Sequence, residues 1–279
     1  MIITQDDVRR CELASIADSL LLLTALHETH PNWQALGEEV DSGVILLLGR
    51  GMYVNRAMAV GLDGPVDDGL VSRVEELSAQ MAVPPAFELS PLVDSSLLEE
   101  LGRRCYRVTG FRTILLRELG PGEPMPSATG EGEVDIELVT DEVALAEWQA
   151  NARTGFELHD QDAQEVSDRF SAARYRTDGE HLFLARIDGA VAGGGSLTIR
   201  DGLATLGGMA TTPAFRRRGV QTALVGHRLR HAAELGCDLA RVGADPGTIS
   251  ERNLQRSGFD IAYTQLFMSG PEPADVGGS

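Results

Sequence analysis

The stretch Gly207-Gly208-Met209-Ala210-Thr211-Thr212-Pro213-Ala214-Phe215-Arg216-Arg217-Arg218-Gly219-Val220-Gln221-Thr222-Ala223-Leu224 decides how this chain is read. A strand ends, a loop turns on Pro213, three arginines arrive in succession, and a helix opens at Gly219. A helix N-terminus exposes unpaired N–H groups and the positive end of the helix dipole, which suits a phosphate. Gly219 lets the backbone approach an anion closely, and neighbouring guanidinium groups add charge-assisted hydrogen bonds. Taken alone, Arg-Arg-Arg is more readily a solvated basic turn. Here strand, proline, glycine and helix agree, and a chain of net charge −18 sets three cations in succession at one bend. The segment therefore points to a polyanionic ligand.

Working outward, the flanking elements are punctuated by turn and cap residues. Val134 to Val139 reads as a strand, Asp141 caps a helix to about Ala152, and Asp160 to Arg174 reads as a second helix. His181 to Arg186, Val191 to Ile199 and Ala204 to Thr211 are three strands joined by Asp188-Gly189 and Asp201-Gly202, two-residue hairpin signals of an antiparallel meander. Gly219 to Leu235 is a long helix with Val220, Leu224, His227 and His231 at helical spacing and Gly236 as its C-cap. Leu239 to Val242 is a short strand that a preceding helix allows to run parallel. Ser250 to Arg256 is a helix stopped by Gly258, and Ile261 to Phe267 is the last strand. His227 and His231 have metal-like spacing but no third ligand, so they read as structural, and no metal is expected.

The first half repeats the later part of this order. Tyr53 to Val60 is strand-like, Gly61 to Gly69 a loop, Leu70 to Met81 a helix, Ala86 to Leu89 a strand, Ser95 to Arg104 a helix, and Thr113 to Arg117 part of a closing strand. Pro91 follows its short strand as Pro246 follows its counterpart, which suggests a degenerate internal duplication. Between the halves, residues 120 to 132 carry Gly and Pro without apolar periodicity and read as a linker, and the tail from Gly270 to Ser279 reads as disordered. The expected division is 1–119, a 120–133 linker, 134–269, and a 270–279 tail. The fold class is α+β, each half a mixed, mostly antiparallel sheet flanked by helices around one parallel strand pair.

Composition narrows the function. With 43% hydrophobic residues and no apolar run of bilayer length, the 279-residue chain is neither disordered nor membrane-spanning. No basic segment precedes an apolar core at the N-terminus, so a cytoplasmic location is expected. Forty-two acidic residues against 24 basic ones repel nucleic acid and anionic membranes and favour cationic or neutral partners. All the basic residues are arginine, so a lysine Schiff base is unavailable. Cys11, Cys105 and Cys237 are odd in number and widely spaced, indicating neither disulfides nor a zinc site.

From Val134 to Met268 the sequence resembles the GNAT superfamily of acyl-CoA N-acyltransferases, in element order and in motif. Arg216-Arg217-Arg218-Gly219-Val220-Gln221 is similar to the family's Arg/Gln-x-x-Gly-x-Gly/Ala signature, with Gln221 where Gly or Ala is usual. The resemblance implies that acetyl-CoA, as cosubstrate, lays its pyrophosphate on Arg216, Arg217, Arg218, Gly219, Val220, Gln221 and Thr222. It implies that the strand before the loop splays from its parallel neighbour and offers the backbone of Met209, Ala210 and Thr211 to the pantetheine arm, one N–H polarising the thioester carbonyl. Asn253, near the Gly258-Phe259 ending of the next helix, is either a further CoA contact or an ordinary exposed residue.

Two family features are missing. Leu254 stands where many members have a tyrosine that protonates the leaving thiolate, leaving Tyr263, a serine or water for that task. No Glu lies between Ala204 and Thr211 to deprotonate the amine; Glu157, His159, Asp160, His181 and Asp245 are candidates elsewhere, each also readable as a surface acid or a partly buried histidine. The implied reaction is direct attack of a primary amine on the acetyl thioester in a ternary complex, the acceptor being a small molecule or peptide. A non-catalytic CoA-binding sensor or structural protein is the alternative, and a longer acyl group is a third reading. In the first half the corresponding loop holds Asp63, Asp67 and Asp68 and no basic residue, so it repels a pyrophosphate. That half is expected to buttress the other, shape the acceptor pocket or form a homodimer.

Overall fold

The computed structural model describes residues 2–67, 69–120, 122–127 and 134–271. Asp68, the linker positions 121 and 128–133, and the tail positions 272–279 lie outside the described residues. In chain order the elements are α1 (Gln5–Thr29), β1 (Leu36–Val40), β2 (Gly43–Leu47), β3 (Arg56–Met58), α2 (Gly69–Gln80), β4 (Ala86–Leu89), α3 (Ser95–Arg103), β5 (Arg107–Glu118), β6 (Asp135–Leu138), α4 (Glu142–Gly155) and α5 (Gln161–Arg176). They continue with β7 (Glu180–Ile187), β8 (Ala190–Arg200), β9 (Leu203–Thr211), α6 (Val220–Glu234), β10 (Leu239–Ala244), α7 (Ile249–Arg256) and β11 (Asp260–Ser269).

The helix starts follow local chemistry. The Asp141 carboxylate accepts from the Ala144 amide and that of Asp160 from the Ala163 amide, each satisfying an orphan donor of α4 or α5. The β7–β8 and β8–β9 turns place Asp188, Gly189, Asp201 and Gly202 at positive φ, the backbone that two-residue hairpins require. Three elements lie outside the expectation from Tyr53 onward. These are α1, opened by a capping box between Thr4 and Asp7, and the β1–β2 hairpin.

The chain forms two compact units: one is the unbroken length Ile114–Ile261, and the other joins Ile2–Thr113 with Ala262–Ser279. In the first, residues 114–118 of β5 neighbour β10, and the strand order continues β9, β8, β7, β6. In it β9 and β10 run parallel, with Leu203 to Leu206 opposite Leu239 to Val242. The other pairings from β9 to β6 are antiparallel. Its core joins Leu115, Phe183, Leu197, Leu206, Leu224 and Leu229, with Met125 of the linker packed against it. A second cluster lies under α4, around Trp148, Leu182 and Leu184.

In the other unit the order is β1, β2, β3, β4, then residues 262–269 of β11, then residues 107–113 of β5. Here β3 and β4 are the parallel pair, and Leu266 to Ser269 run antiparallel to Leu89 to Ala86. Leu266 and Met268 pack on a core of Ile45, Val74, Phe87 and Leu97. The second unit thus draws its strands from both ends of the sequence, the first from one unbroken length. The sequence β3, loop, α2, β4, α3 repeats β9, loop, α6, β10, α7. Among the described residues no helix is long and apolar enough to cross a membrane.

Candidate functional site

The parallel pairing of β9 with β10 stops at Leu206 and Val242, while β9 runs on to Thr211 and β10 to Ala244. Just past that point β9 bulges. Ser196 of β8 stands opposite Gly207 and Gly194 opposite Ala210, so Gly195 faces both Gly208 and Met209. Two residues against one bend the strand and turn it from its neighbour. Gly208 has φ +52, left-handed backbone that favours glycine. The run Gly193-Gly194-Gly195 is demanded by packing. A Cβ would lie 2.7 Å from a Val220 methyl of α6 at Gly193, 3.1 Å from Trp148 Nε1 of α4 at Gly194, and 2.9 Å from Arg228 Nη1 at Gly195.

After β9 a short 3-10 turn, Pro213–Phe215, delivers the arginines. Arg217 (φ +66) and Gly219 (φ +80) are left-handed and Arg218 between them is not, an alternation of the kind that forms anion-binding nests. Gly219 is the N-cap of α6, no side chain caps the helix, and its first turn holds no acid. All three arginines are exposed. Arg216 Nη2 lies 3.0 Å from Glu157 Oε1, and the Arg218 guanidinium sits 5.4 Å over the Phe215 ring. Asn253 Nδ2 donates to Gln221 Oε1 at 2.8 Å, joining α7 to the first turn of α6. The counterpart helix α2 differs. Asp67 Oδ1 accepts from the Gly69 amide at 2.7 Å, and Asp63 is ion-paired with Arg9, so the protein's own carboxylates occupy that bend.

The acid and base candidates do not converge. Glu157 and His159 are exposed in the α4–α5 loop, and Asp160 is engaged as the cap of α5. His181 Nδ1 is 3.4 Å from His231 Nε2 between β7 and α6. Burial, then repulsion from His231, holds His181 below the usual histidine range. Asp245 is exposed just beyond β10. Tyr263 belongs to the unit that holds α1, is buried, and donates its hydroxyl to Glu12 Oε1 at 2.6 Å. Leu254 is buried in the core beneath α6.

Three residues escaped the sequence reading. Asn151, on the buried stripe of α4 with Leu145, Trp148 and Ala152, donates to the Ala210 carbonyl at 3.4 Å and accepts from the Thr212 hydroxyl at 2.9 Å. Trp148 Nε1, beside the bulge, is buried and has no partner among the described residues. Arg228 is wholly buried under the bulge from the α6 side. The signal for Asn151 and Arg228 was a polar residue set in an apolar helical stripe. Among the described residues no group of three or more His, Cys, Asp or Glu could hold a metal ion.

Residues 143–259 match the model of the acetyltransferase (GNAT) family. Among solved structures the chain is similar to a GCN5-related N-acetyltransferase from Kribbella flavida, at 20% identity and TM-score 0.63 over 92% of this chain and 96% of that one. It is similar also to a GCN5-related N-acetyltransferase from Sphaerobacter thermophilus, at 14% identity and TM-score 0.59 over 93% and 94% of the two chains. A tandem GNAT protein from the clavulanic acid biosynthesis pathway matches at 18% identity and TM-score 0.59 over 84% of this chain and 80% of that one. At these identities the likeness is one of fold. No curated protein matches the chain.

Proposed function

We propose that this chain, whose residues 143–259 are an acetyltransferase domain of the GNAT family, is an acetyl-CoA-dependent N-acetyltransferase acting on a primary amine of a small molecule or peptide by direct attack in a ternary complex. One observation carries the reading: an N-terminus of α6 with no capping side chain and no first-turn acid, set behind three exposed arginines where β9 leaves β10. In this reading Arg216, Arg217 and Arg218 and the amides of Gly219, Val220, Gln221 and Thr222 hold the diphosphate. Asn253 steadies Gln221 beside it. The backbone of Met209, Ala210 and Thr211 lies along the pantetheine arm, and an amide of that stretch donates to the thioester carbonyl. When bound, acetyl-CoA supplies the acyl thioester electrophile. A diphosphate that takes Arg216 releases Glu157 from their ion pair, leaving a free carboxylate in the α4–α5 loop to accept the amine's proton. The other unit, whose matching bend is filled by Asp63 and Asp67, holds no CoA.

Calorimetric titration with acetyl-CoA tests the site. Replacing Arg216 and Arg218 together with Ala removes two charge-assisted contacts and is expected to weaken binding by about 100-fold or more; unchanged affinity refutes the assignment. One observation favours a second reading, a CoA-binding protein without turnover: Leu254 is buried where the family places its thiolate acid, and β9 offers no carboxylate. Thiol release measured across a panel of amines separates the two. A transferase gives amine-stimulated thiol, whereas a sensor binds acetyl-CoA and gives none.

A further inference from the structure

Arg228 projects from the buried face of α6 and is 0% exposed, yet no carboxylate faces its guanidinium among the described residues. An unpaired buried cation is costly. Burial alone pulls Arg228 down to about 9 from the usual arginine range. What it touches is the bulge. Nη1 donates to the Ser196 carbonyl at 2.7 Å and to the Gly207 carbonyl at 3.1 Å, Nε donates to Leu224 O at 3.1 Å, and Nη2 lies 3.0 Å from Met209 Sδ. Ser196 and Gly207 are the opposed pair at the edge of the bulge, where the β8–β9 ladder breaks. A bulge leaves ladder groups unpaired; here one guanidinium nitrogen takes a carbonyl from each strand. Gly195 makes the fit, since a Cβ there would lie 2.9 Å from Nη1 and 3.0 Å from Cζ.

We propose that Arg228 is a positioning residue for acyl transfer: it clamps Ser196 to Gly207 from beneath and so fixes the direction of the Gly208 and Met209 amides. This rests on the acetyltransferase reading, in which an amide of the stretch Met209 to Thr211, which opens at this bulge, polarises the thioester carbonyl. Arg228 touches none of the arginine-loop residues and sits roughly two helical turns beyond Val220. It therefore acts on the acyl end of the site and leaves diphosphate binding alone.

The variant Arg228→Lys keeps the charge but loses the planar fork that reaches three carbonyls and a sulfur. An amide donor to the thioester carbonyl displaced by about 1 Å costs on the order of 100-fold in rate. Expected for Arg228→Lys are a CoA affinity within about twofold of the parent and a kcat lower by roughly 30- to 100-fold, with little change in KM for acetyl-CoA. In the protein without CoA, the backbone amide resonances of Gly207, Gly208 and Met209 should move while those of Gly219 and Val220 stay. Should Arg228→Lys fail to fold, Gly195→Ala crowds the same guanidinium from β8 with the arginine retained, and the same split between kcat and CoA affinity is expected. Amide resonances at 207–209 unmoved, or a kcat within threefold of the parent in whichever variant folds, overturn the proposal. A parent chain that binds no acetyl-CoA overturns the acetyltransferase reading instead, and the amide resonances still decide whether Arg228 holds the bulge.

Discussion

Buried polar groups divide by whether they find partners. Ser78 of α2 is 0% exposed, on the same stripe as Leu70, Val74 and Leu77, and its hydroxyl has no partner among the described residues. A hydroxyl taken from water without a replacement bond is a net cost, and serine is a poorer helix former than alanine. Ser78→Ala is therefore expected to stabilise the chain by about 0.5–1 kcal/mol, read as a higher urea midpoint at unchanged slope. A lower midpoint would mean that the hydroxyl is bonded after all. Arg228 is the opposite case, buried with three carbonyls around it. Its place on α6 was half legible, since Val220, Leu224 and Arg228 share one stripe. An arginine reads by default as solvent-facing. What overrides that default is the missing Cβ at Gly195, on a strand remote in sequence. The arginine loop was legible because its proline, glycine and helix start are all local.

At the scale of elements, boundaries in the second half follow signals a few residues long: caps at Asp141 and Asp160, hairpins at Asp188-Gly189 and Asp201-Gly202, and Gly258 at φ +84 behind α7. The length of α1 was harder to read, because Glu12 and Ser19 interrupt its buried face. Where β7 meets α6 the packing makes a prediction about pH. His181 rests against His231, and the Phe183 ring lies 5.3 Å from both His227 and His231. Burial lowers His181, with His231 adding repulsion and Glu180 opposing it. It lowers His227 likewise, with Arg230, His231 and Arg228 adding to the effect and Glu234 opposing it. The unfolded histidines titrate near about 6.5, so between that value and the lower folded values the unfolded chain binds more protons. Stability should then be fully present above about pH 6.5 and fall as the pH drops through it. The thermal midpoint is expected to decline by about 2 °C or more between pH 7 and 5.5, and less in His181→Phe. A parent midpoint that is flat or rises over that range, or an equal slope in the variant, would contradict this account.

Over the whole molecule the linker marks where composition changes, yet strand partnership crosses it. Nothing local to residues 107–119 says that Leu115 and Leu119 serve the core of the unit built around α6, and nothing local to β11 says that Leu266 and Met268 serve the core around α2. Such pairing is non-local and was not legible in the sequence. It has a consequence for any attempt to separate the halves. Chain 1–127 carries the Ile114–Glu118 length that the first unit needs, and chain 134–279 carries the strand from Ala262 that the other needs. Burying a side chain such as Leu115 contributes about 2 kcal/mol, so losing Ile114, Leu115, Leu116 and Leu119 together removes an amount comparable with the whole stability of a domain, about 5–15 kcal/mol. A protease site placed between Ser127 and Val134 should accordingly give two pieces that co-elute on gel filtration and still bind CoA. The piece 134–279 produced alone should lack a cooperative thermal transition, and mixing it with separately produced 1–127 should restore one. Two pieces that elute apart, each melting cooperatively, would show that neither sheet depends on the exchanged strand.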